Sequence, residues 1–265
     1  MKYKKGALCR RKCVPLHVFC KINRMMNNTP PVTKNLIIIN ILCSIAAFVL
    51  GDRFGINLNG TLGLHYFESE KFKLYQLFTY MFMHGGFEHI FFNMFALWMF
   101  GRILETVWGS QRFLFYYILC GVGAGLIQEV TQYFEFMPLM HDAAQFATYP
   151  ADTVIPINGT ARTAAEWLTI CQRMISQPTV GASGAVYSIL LAFAMLFPNE
   201  QMFIFPLPMP IKAKWVIIGY FVLEIYLGLK GNDSIAHFAH LGGMIFGFIL
   251  IMYWKKKGTQ YGRNF

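Results

Sequence analysis

A serine, two histidines and an asparagine stand inside apolar stretches that have few other polar groups. Ser183 lies in Gly181-Ala182-Ser183-Gly184-Ala185-Val186-Tyr187, and His240 in His237-Phe238-Ala239-His240-Leu241-Gly242-Gly243-Met244-Ile245-Phe246-Gly247. His89 and Asn93 lie in His84-Gly85-Gly86-Phe87-Glu88-His89-Ile90-Phe91-Phe92-Asn93. A serine between small residues leaves room for another backbone to approach its hydroxyl. On a helix, His240, Gly243 and Gly247 share one face through i, i+3, i+7 spacing, and a Gly-x-x-x-Gly surface lets a partner helix come close. If that partner carries Gly181, Ser183 and Gly184, the imidazole falls within hydrogen-bond reach of the hydroxyl and activates it as a nucleophile. His89 and Asn93, i and i+4 on one face, both donate hydrogen bonds. An oxyanion forming at an attacked carbonyl needs such donors.

Each motif taken alone has a plainer use. Gly184, Ser188 and Ala192 follow the small-xxx-small pattern of packed membrane helices, and His240 or the His89/Asn93 pair could serve only to join helices. A fourth cluster, Gly101-Arg102-Ile103-Leu104-Glu105 followed by Trp108-Gly109-Ser110, reads better as a structural Arg/Glu network around a tight turn.

The elements that must position these groups are membrane spans. Of the 265 residues, 55% are hydrophobic and only 14% charged, against about 25% charged in a typical soluble domain. The charges cluster between long apolar runs, as in a polytopic membrane protein. The fold class expected is all-α, a bundle of six transmembrane helices, at roughly Asn35 to Leu50, His84 to Leu104, Arg112 to Phe136, Val180 to Phe197, Ile211 to Leu229 and Ile235 to Trp254. The net charge of +10 does not point to nucleic acid. Lys2, Lys4, Lys5, Arg10, Arg11, Lys12, Lys21, Arg24 and Lys34 precede the first apolar run, and Lys255, Lys256, Lys257 and Arg263 follow the last. Lys and Arg favour the internal side if both termini are cytoplasmic. The chain divides into a basic cytoplasmic arm (1–34), a membrane domain (35–254) and a basic cytoplasmic tail (255–265). Met26 offers an alternative start, which would make residues 1–25 an optional extension. The first apolar run lacks a cleavage pattern and reads as an uncleaved span.

In this topology the second, fourth and sixth spans all enter from outside. Ser183, His240 and the His89/Asn93 pair then sit at the outer end of each span, at one depth, which helix packing alone does not require. Two external segments are long. Gly51 to Met83 reads as an interfacial lid of short amphipathic helices, and Phe136 to Thr179 ends in an amphipathic helix, Thr163 to Ile175. Cys9, Cys13, Cys20, Cys43, Cys120 and Cys171 make no disulfide framework, and reduced thiols are expected. Glu224 is an acid inside the fifth span, read as pairing with a neighbour or reaching the outer interface.

At these residues the chain closely resembles the rhomboid family of intramembrane serine proteases, over about Leu36 to Trp254. The matching motifs are His89-xxx-Asn93, Gly181-x-Ser183-Gly184 with Tyr187, and His240-xx-Gly243-xxx-Gly247, in the family's order and spacing. The resemblance implies that Ser183 is the nucleophile and His240 the general base, with no acid completing a triad. It also implies that Tyr187 packs on the imidazole, and that Asn93, His89 and the Ser183 N–H form the oxyanion hole. Glu105 matches the family's structural acid. Where the family often carries a Trp-Arg pair in the first external loop, this chain reads Tyr75-Gln76.

Rival chemistries fit less well. A zinc enzyme calls for His-Glu-x-x-His, which His84 to His89 does not supply. An aspartyl enzyme needs two intramembrane aspartates, and the spans contain none. A soluble serine hydrolase calls for Gly-x-Ser-x-Gly, whereas position 185 is Ala185. The expectation is an endopeptidase that cuts transmembrane protein substrates near the outer membrane boundary. It is expected to work in a lipid environment without metal or cofactor, in a membrane read as the bacterial plasma membrane. Water would reach it through an outward cavity lined by His84, His89, Asn93, Ser183 and His240. The fifth span and the loop Lys230 to Ser234 would serve as gate and lid. The alternative is a non-proteolytic, rhomboid-like protein that binds membrane clients.

Overall fold

The computed structural model describes residues 29–157, 160–202, 209–230 and 234–258. Residues 1–25, with Cys9, Cys13 and Cys20, and Gly231, Asn232 and Asp233 of the Lys230 to Ser234 loop fall outside these residues. The described chain is a helical membrane bundle. Its long helices are α1 (Pro31–Phe54), α4 (Phe87–Trp108), α5 (Ser110–Phe146), α8 (Ala213–Lys230) and α9 (Ser234–Lys256), with a short α7 (Ser183–Leu196) packed among the last four. Helices α2 (Leu58–Leu62) and α3 (Gln76–Thr79) lie between α1 and α4. A hairpin of β1 (Val154–Ile157) and β2 (Thr160–Thr163), followed by α6 (Ala164–Ser176), lies between α5 and α7. Between α7 and α8, Gln201–Met202 and Ile211–Lys212 pair as the ribbon β3–β4.

Four helices, α1, α4, α5 and α9, are long and apolar enough to cross a membrane by length and composition. α7 is apolar but has 14 residues, about 21 Å at 1.5 Å per residue, short of a hydrocarbon core of about 30 Å. α8 has 18 residues but includes Lys214, Glu224 and Lys230. Length and composition therefore account for four of the six expected spans, with α7 a fifth, short one. The second span begins at Phe87 rather than His84, because Gly85 and Gly86 form an irregular approach. The third continues to Phe146 rather than stopping at Phe136, with Pro138 inside it. The expected amphipathic helix in the external segment is α6. Its start is fixed by a capping box, with the Thr163 hydroxyl accepting from the Glu166 N–H and the Glu166 carboxylate from the Thr163 N–H.

The core lies between α5, α7 and α9, where Tyr116, Tyr117, Ala185, Ile189 and Ile251 are fully or almost fully buried. Lipid tails are as apolar as these side chains, so close van der Waals packing holds the helices together here. α7 also meets α4 and α8. The start of α7 therefore lies where α4, α5, α8 and α9 all come close.

The beginning of α1 is held from a distance. Its N-cap, Pro30, offers no side-chain acceptor. The buried Glu105 carboxylate replaces it, accepting from the Val32 N–H at 3.0 Å, the Thr33 N–H at 2.7 Å and the Thr33 hydroxyl at 2.7 Å. The Ser110 hydroxyl also donates to Glu105, at 2.7 Å. An anion at a helix N-terminus satisfies free amides and favours the dipole. The structural role expected of Glu105 is therefore a cap borrowed by α1. Arg102 lies over the Trp98 ring, 4.2 Å from its centroid.

Candidate active site

Ser183 is the first residue of α7, and the chain is aimed into that position by two backbone clamps. Leu64 and Thr179 exchange N–H···O bonds of 2.9 and 2.7 Å, and the Gly181 N–H donates to the Tyr80 carbonyl at 2.9 Å. Gly181 takes φ +133°, a conformation that L side chains rarely adopt. It is also crowded, since a Cβ there would stand 2.7 Å from Cε1 and Nε2 of His89. The absent side chain is what lets the His89 ring lie beside the entry to α7. The N-cap, Ala182, supplies no side-chain acceptor. The first amides of α7 thus have no local cap, at the positive end of the helix dipole.

The expected base, His240, comes from α9. His240 Nε2 and Ser183 Oγ are 2.9 Å apart. Two glycines bring the helices together. A Cβ on Gly243 would overlap the Gly184 carbonyl oxygen, and one on Gly247 would overlap the Tyr116 hydroxyl and touch Ser188. Gly184 is equally closed in, against Ala124 of α5. Tyr187, one turn after Ser183, stacks on the His240 ring at 4.2 Å between centroids and 7° between planes. It holds the imidazole flat against α7.

His89 and Asn93 lie one turn apart on α4. The Gly85 N–H approaches His89 Nδ1 at a long 3.4 Å. That contact makes Nδ1 the acceptor and assigns the ring proton to Nε2, on the side facing Gly181. Asn93 is buried, and its Nδ2 has no hydrogen-bond partner among the described residues. A buried unsatisfied amide is costly, and here it is a donor held without an acceptor.

His84 behaves differently from expectation. It is buried, packs edge-on to His89 at 5.1 Å and lies 3.5 Å from the Ser44 hydroxyl. A cavity of about 1100 Å³ between α1 and α4 reaches it, walled mainly by apolar side chains such as Ile41, Phe48, Phe91 and Trp98. His89, Asn93, Ser183 and His240 do not line that cavity. The single outward water cavity expected around all five residues is therefore not this one, because it lies between α1 and α4 and reaches only His84 among them.

Glu224 of α8 was legible only as an acid in an apolar run. Its side chain is 5% exposed, with Oε2 at 2.6 Å from His237 Nδ1 and Oε1 at 3.2 Å from His240 Nδ1. The second contact is at ion-pair distance without hydrogen-bond alignment. The resemblance implied no acid beside the base, whereas this geometry supplies one. It could have been sought from a His one turn before His240 together with one acid on the preceding span. These three side chains bring their ligand atoms within 4.8 Å of one another and are the one such group among the described residues.

Comparison with known proteins agrees with the fold. The model of the Rhomboid domain family matches residues 71–257. The chain is 29% identical over 214 residues to RHOMBOID-like protein 12, mitochondrial, of Arabidopsis thaliana, covering 80% of this chain and 55% of that protein. It is 27% identical over 179 residues to Rhomboid protein 1, mitochondrial, of Saccharomyces cerevisiae, covering 66% and 40%. To Rhomboid-like protein 11, chloroplastic, of Arabidopsis thaliana it is 25% identical over 228 residues, covering 74% and 61%. The chain thus spans between two fifths and about three fifths of the length of these relatives. Their names place them in organelles, and the expectation of a bacterial plasma membrane finds no support in them.

Proposed function

The chain belongs to the rhomboid family, and from that premise we propose that it is an intramembrane serine endopeptidase acting on transmembrane protein substrates. The 2.9 Å contact between His240 Nε2 and Ser183 Oγ is the observation that carries the reading. A hydroxyl needs an adjacent base to become a nucleophile at neutral pH. In the reaction, Ser183 Oγ attacks a peptide carbonyl carbon while His240 Nε2 takes its proton. The imidazolium then protonates the leaving amine, and the acyl-enzyme remains on Ser183. A water deprotonated by His240 attacks the ester, and the serine is released with its proton returned. Asn93 Nδ2, His89 Nε2–H and the Ser183 N–H are the donors for the oxyanion of each tetrahedral intermediate. Tyr187 keeps the imidazole in line. Gly181 and Gly184 let the nucleophile's turn be approached, and Gly243 and Gly247 set the distance between α7 and α9. No metal or cofactor enters these steps.

The test is cleavage of a model transmembrane substrate by the purified full chain in proteoliposomes. Ser183→Ala and His240→Ala are each expected to abolish cleavage while keeping the wild-type melting temperature. The double variant should be no worse than either, because the pair acts as a unit. Substantial cleavage by Ser183→Ala would sink the reading. A wild-type chain that binds substrate but never cuts it would favour the non-proteolytic, client-binding alternative.

A further inference from the structure

Resting on that reading, we infer that Glu224 is a positioning residue that orients His240 and balances its charge, so that the working unit is a Ser183–His240–Glu224 relay. His240 Nε2 faces Ser183 Oγ at 2.9 Å, and it can accept the serine proton only if the ring's own proton is on Nδ1. Nδ1 is buried, so that N–H needs an acceptor. Glu224 Oε1, at 3.2 Å, is the group within reach.

The carboxylate is itself fixed. Glu224 Oε2 is 2.6 Å from His237 Nδ1, one turn before His240 on α9. His237 thereby holds one carboxylate oxygen and aims the other at the base. Tyr187 faces both the His240 ring and Glu224. Tyr187 from α7, His237 from α9, Glu224 from α8 and His89 from α4 are thus titratable groups around the imidazole. When Nε2 takes the serine proton, the ring becomes a cation in a largely dehydrated site, where a nearby anion is worth more than in water. The 3.2 Å contact is not aligned as a hydrogen bond in the resting structure. Contacts of this kind commonly tighten once substrate is bound.

A helix-joining ion pair would use the same atoms, so the test needs a readout that joining helices would not move. The measurement is kcat, KM and the pH profile of kcat/KM for the full chain and its Glu224→Gln, Glu224→Asp and His237→Ala forms, in buffer containing a chelator. Glu224→Gln keeps the shape and removes the charge. It is expected to lower kcat by about 10²–10⁴-fold, in the range seen when the acid of a serine triad is neutralised, with KM little changed. The acid limb of the profile should move to lower pH, because the imidazolium loses its anion. Glu224→Asp should recover part of the rate and return the limb toward wild type, and His237→Ala should give a smaller loss than Glu224→Gln.

A Glu224→Gln chain with wild-type kcat and an unmoved profile overturns the inference. So does a rate loss in both Gln and Asp forms that follows melting temperature alone. If Glu224→Gln does not fold, His237→Ala decides, because it frees the carboxylate that His237 holds, and a wild-type kcat with an unmoved limb there overturns the inference. Loss of wild-type activity in chelator, restored by zinc, would also overturn it, because the same three side chains would then be serving as metal ligands. Persistent cleavage by Ser183→Ala would instead remove the protease reading, while a dead Ser183→Ala beside a normal Glu224→Gln removes only the relay.

Discussion

On the proposed reading, Asn93 is costly to the fold and useful to the chemistry. Its Nδ2 is buried and has no acceptor among the described residues, a condition that costs about 1–3 kcal/mol when it is not compensated. Folding tolerates it if the acceptor arrives later, as the oxyanion of a tetrahedral intermediate. Activity and stability should then respond to Asn93→Ala in opposite directions. The rate kcat is expected to fall about 10²–10³-fold, roughly 3–4 kcal/mol, because His89 and a backbone donor remain. The melting temperature should hold or rise slightly as the orphan donor disappears. Steady-state cleavage of a slow substrate and thermal unfolding in detergent measure the two. An unchanged kcat would leave Asn93 as helix glue.

At the scale of elements, the distance between α7 and α9 determines whether His240 and Ser183 meet, and glycine sets that distance. Gly243 lies against the Gly184 carbonyl so closely that even a methyl group would overlap it. The backbone of α7 cannot swing away as a side chain would, so the helices must part. A displacement of about 1 Å can cost about 10²-fold in rate, and the lost contact also weakens the packing that holds helices in lipid. Across Gly243→Ala, Gly243→Val and Gly243→Leu, rate and melting temperature should fall together in that order, with Ala already below wild type. A stable, fully active Gly243→Leu chain would mean that the close approach does not set the catalytic distance. Elements also hold each other where no motif announces it. Glu105 caps α1 across more than seventy residues, and the Leu64–Thr179 bridge fixes the strand that delivers Ser183.

The whole molecule adds a constraint that no single element carries. On the proposed reading the site lies at the start of the short α7, so a substrate must present an unfolded carbonyl there. A transmembrane helix hides its carbonyls in intrahelical hydrogen bonds. Substrates with helix-breaking residues near the outer boundary of their span should therefore be cut faster than otherwise identical substrates with a continuous leucine helix. Paired substrates in the same proteoliposomes compare the rates directly. Equal rates would show that local unwinding does not limit cleavage. The groove of about 1100 Å³ between α1 and α4 belongs to this scale too. It brings lipid-facing surface up to His84 without opening onto Ser183.

Helical periodicity is local, and what it governs could be read from the chain. It predicts that His240, Gly243 and Gly247 share a face, that His89 and Asn93 do, and that Tyr187 follows Ser183 by one turn. The low charge content of the apolar runs likewise predicts a helical membrane bundle. Helix ends were less legible. Gly85 and Gly86 delay α4 to Phe87, and α5 outruns the bilayer-length estimate because its C-terminal turns pack on α6, with Phe146 stacked on Trp167. What the tertiary structure alone decided is register between helices. Glu224 and His240 are sixteen positions apart on separate helices, and no spacing rule says which turn of α8 faces which turn of α9. That choice depends on packing, since the helices slide until small residues and side chains interlock. In that arrangement the single acid of α8 lies 2.6 Å from one imidazole and 3.2 Å from the other.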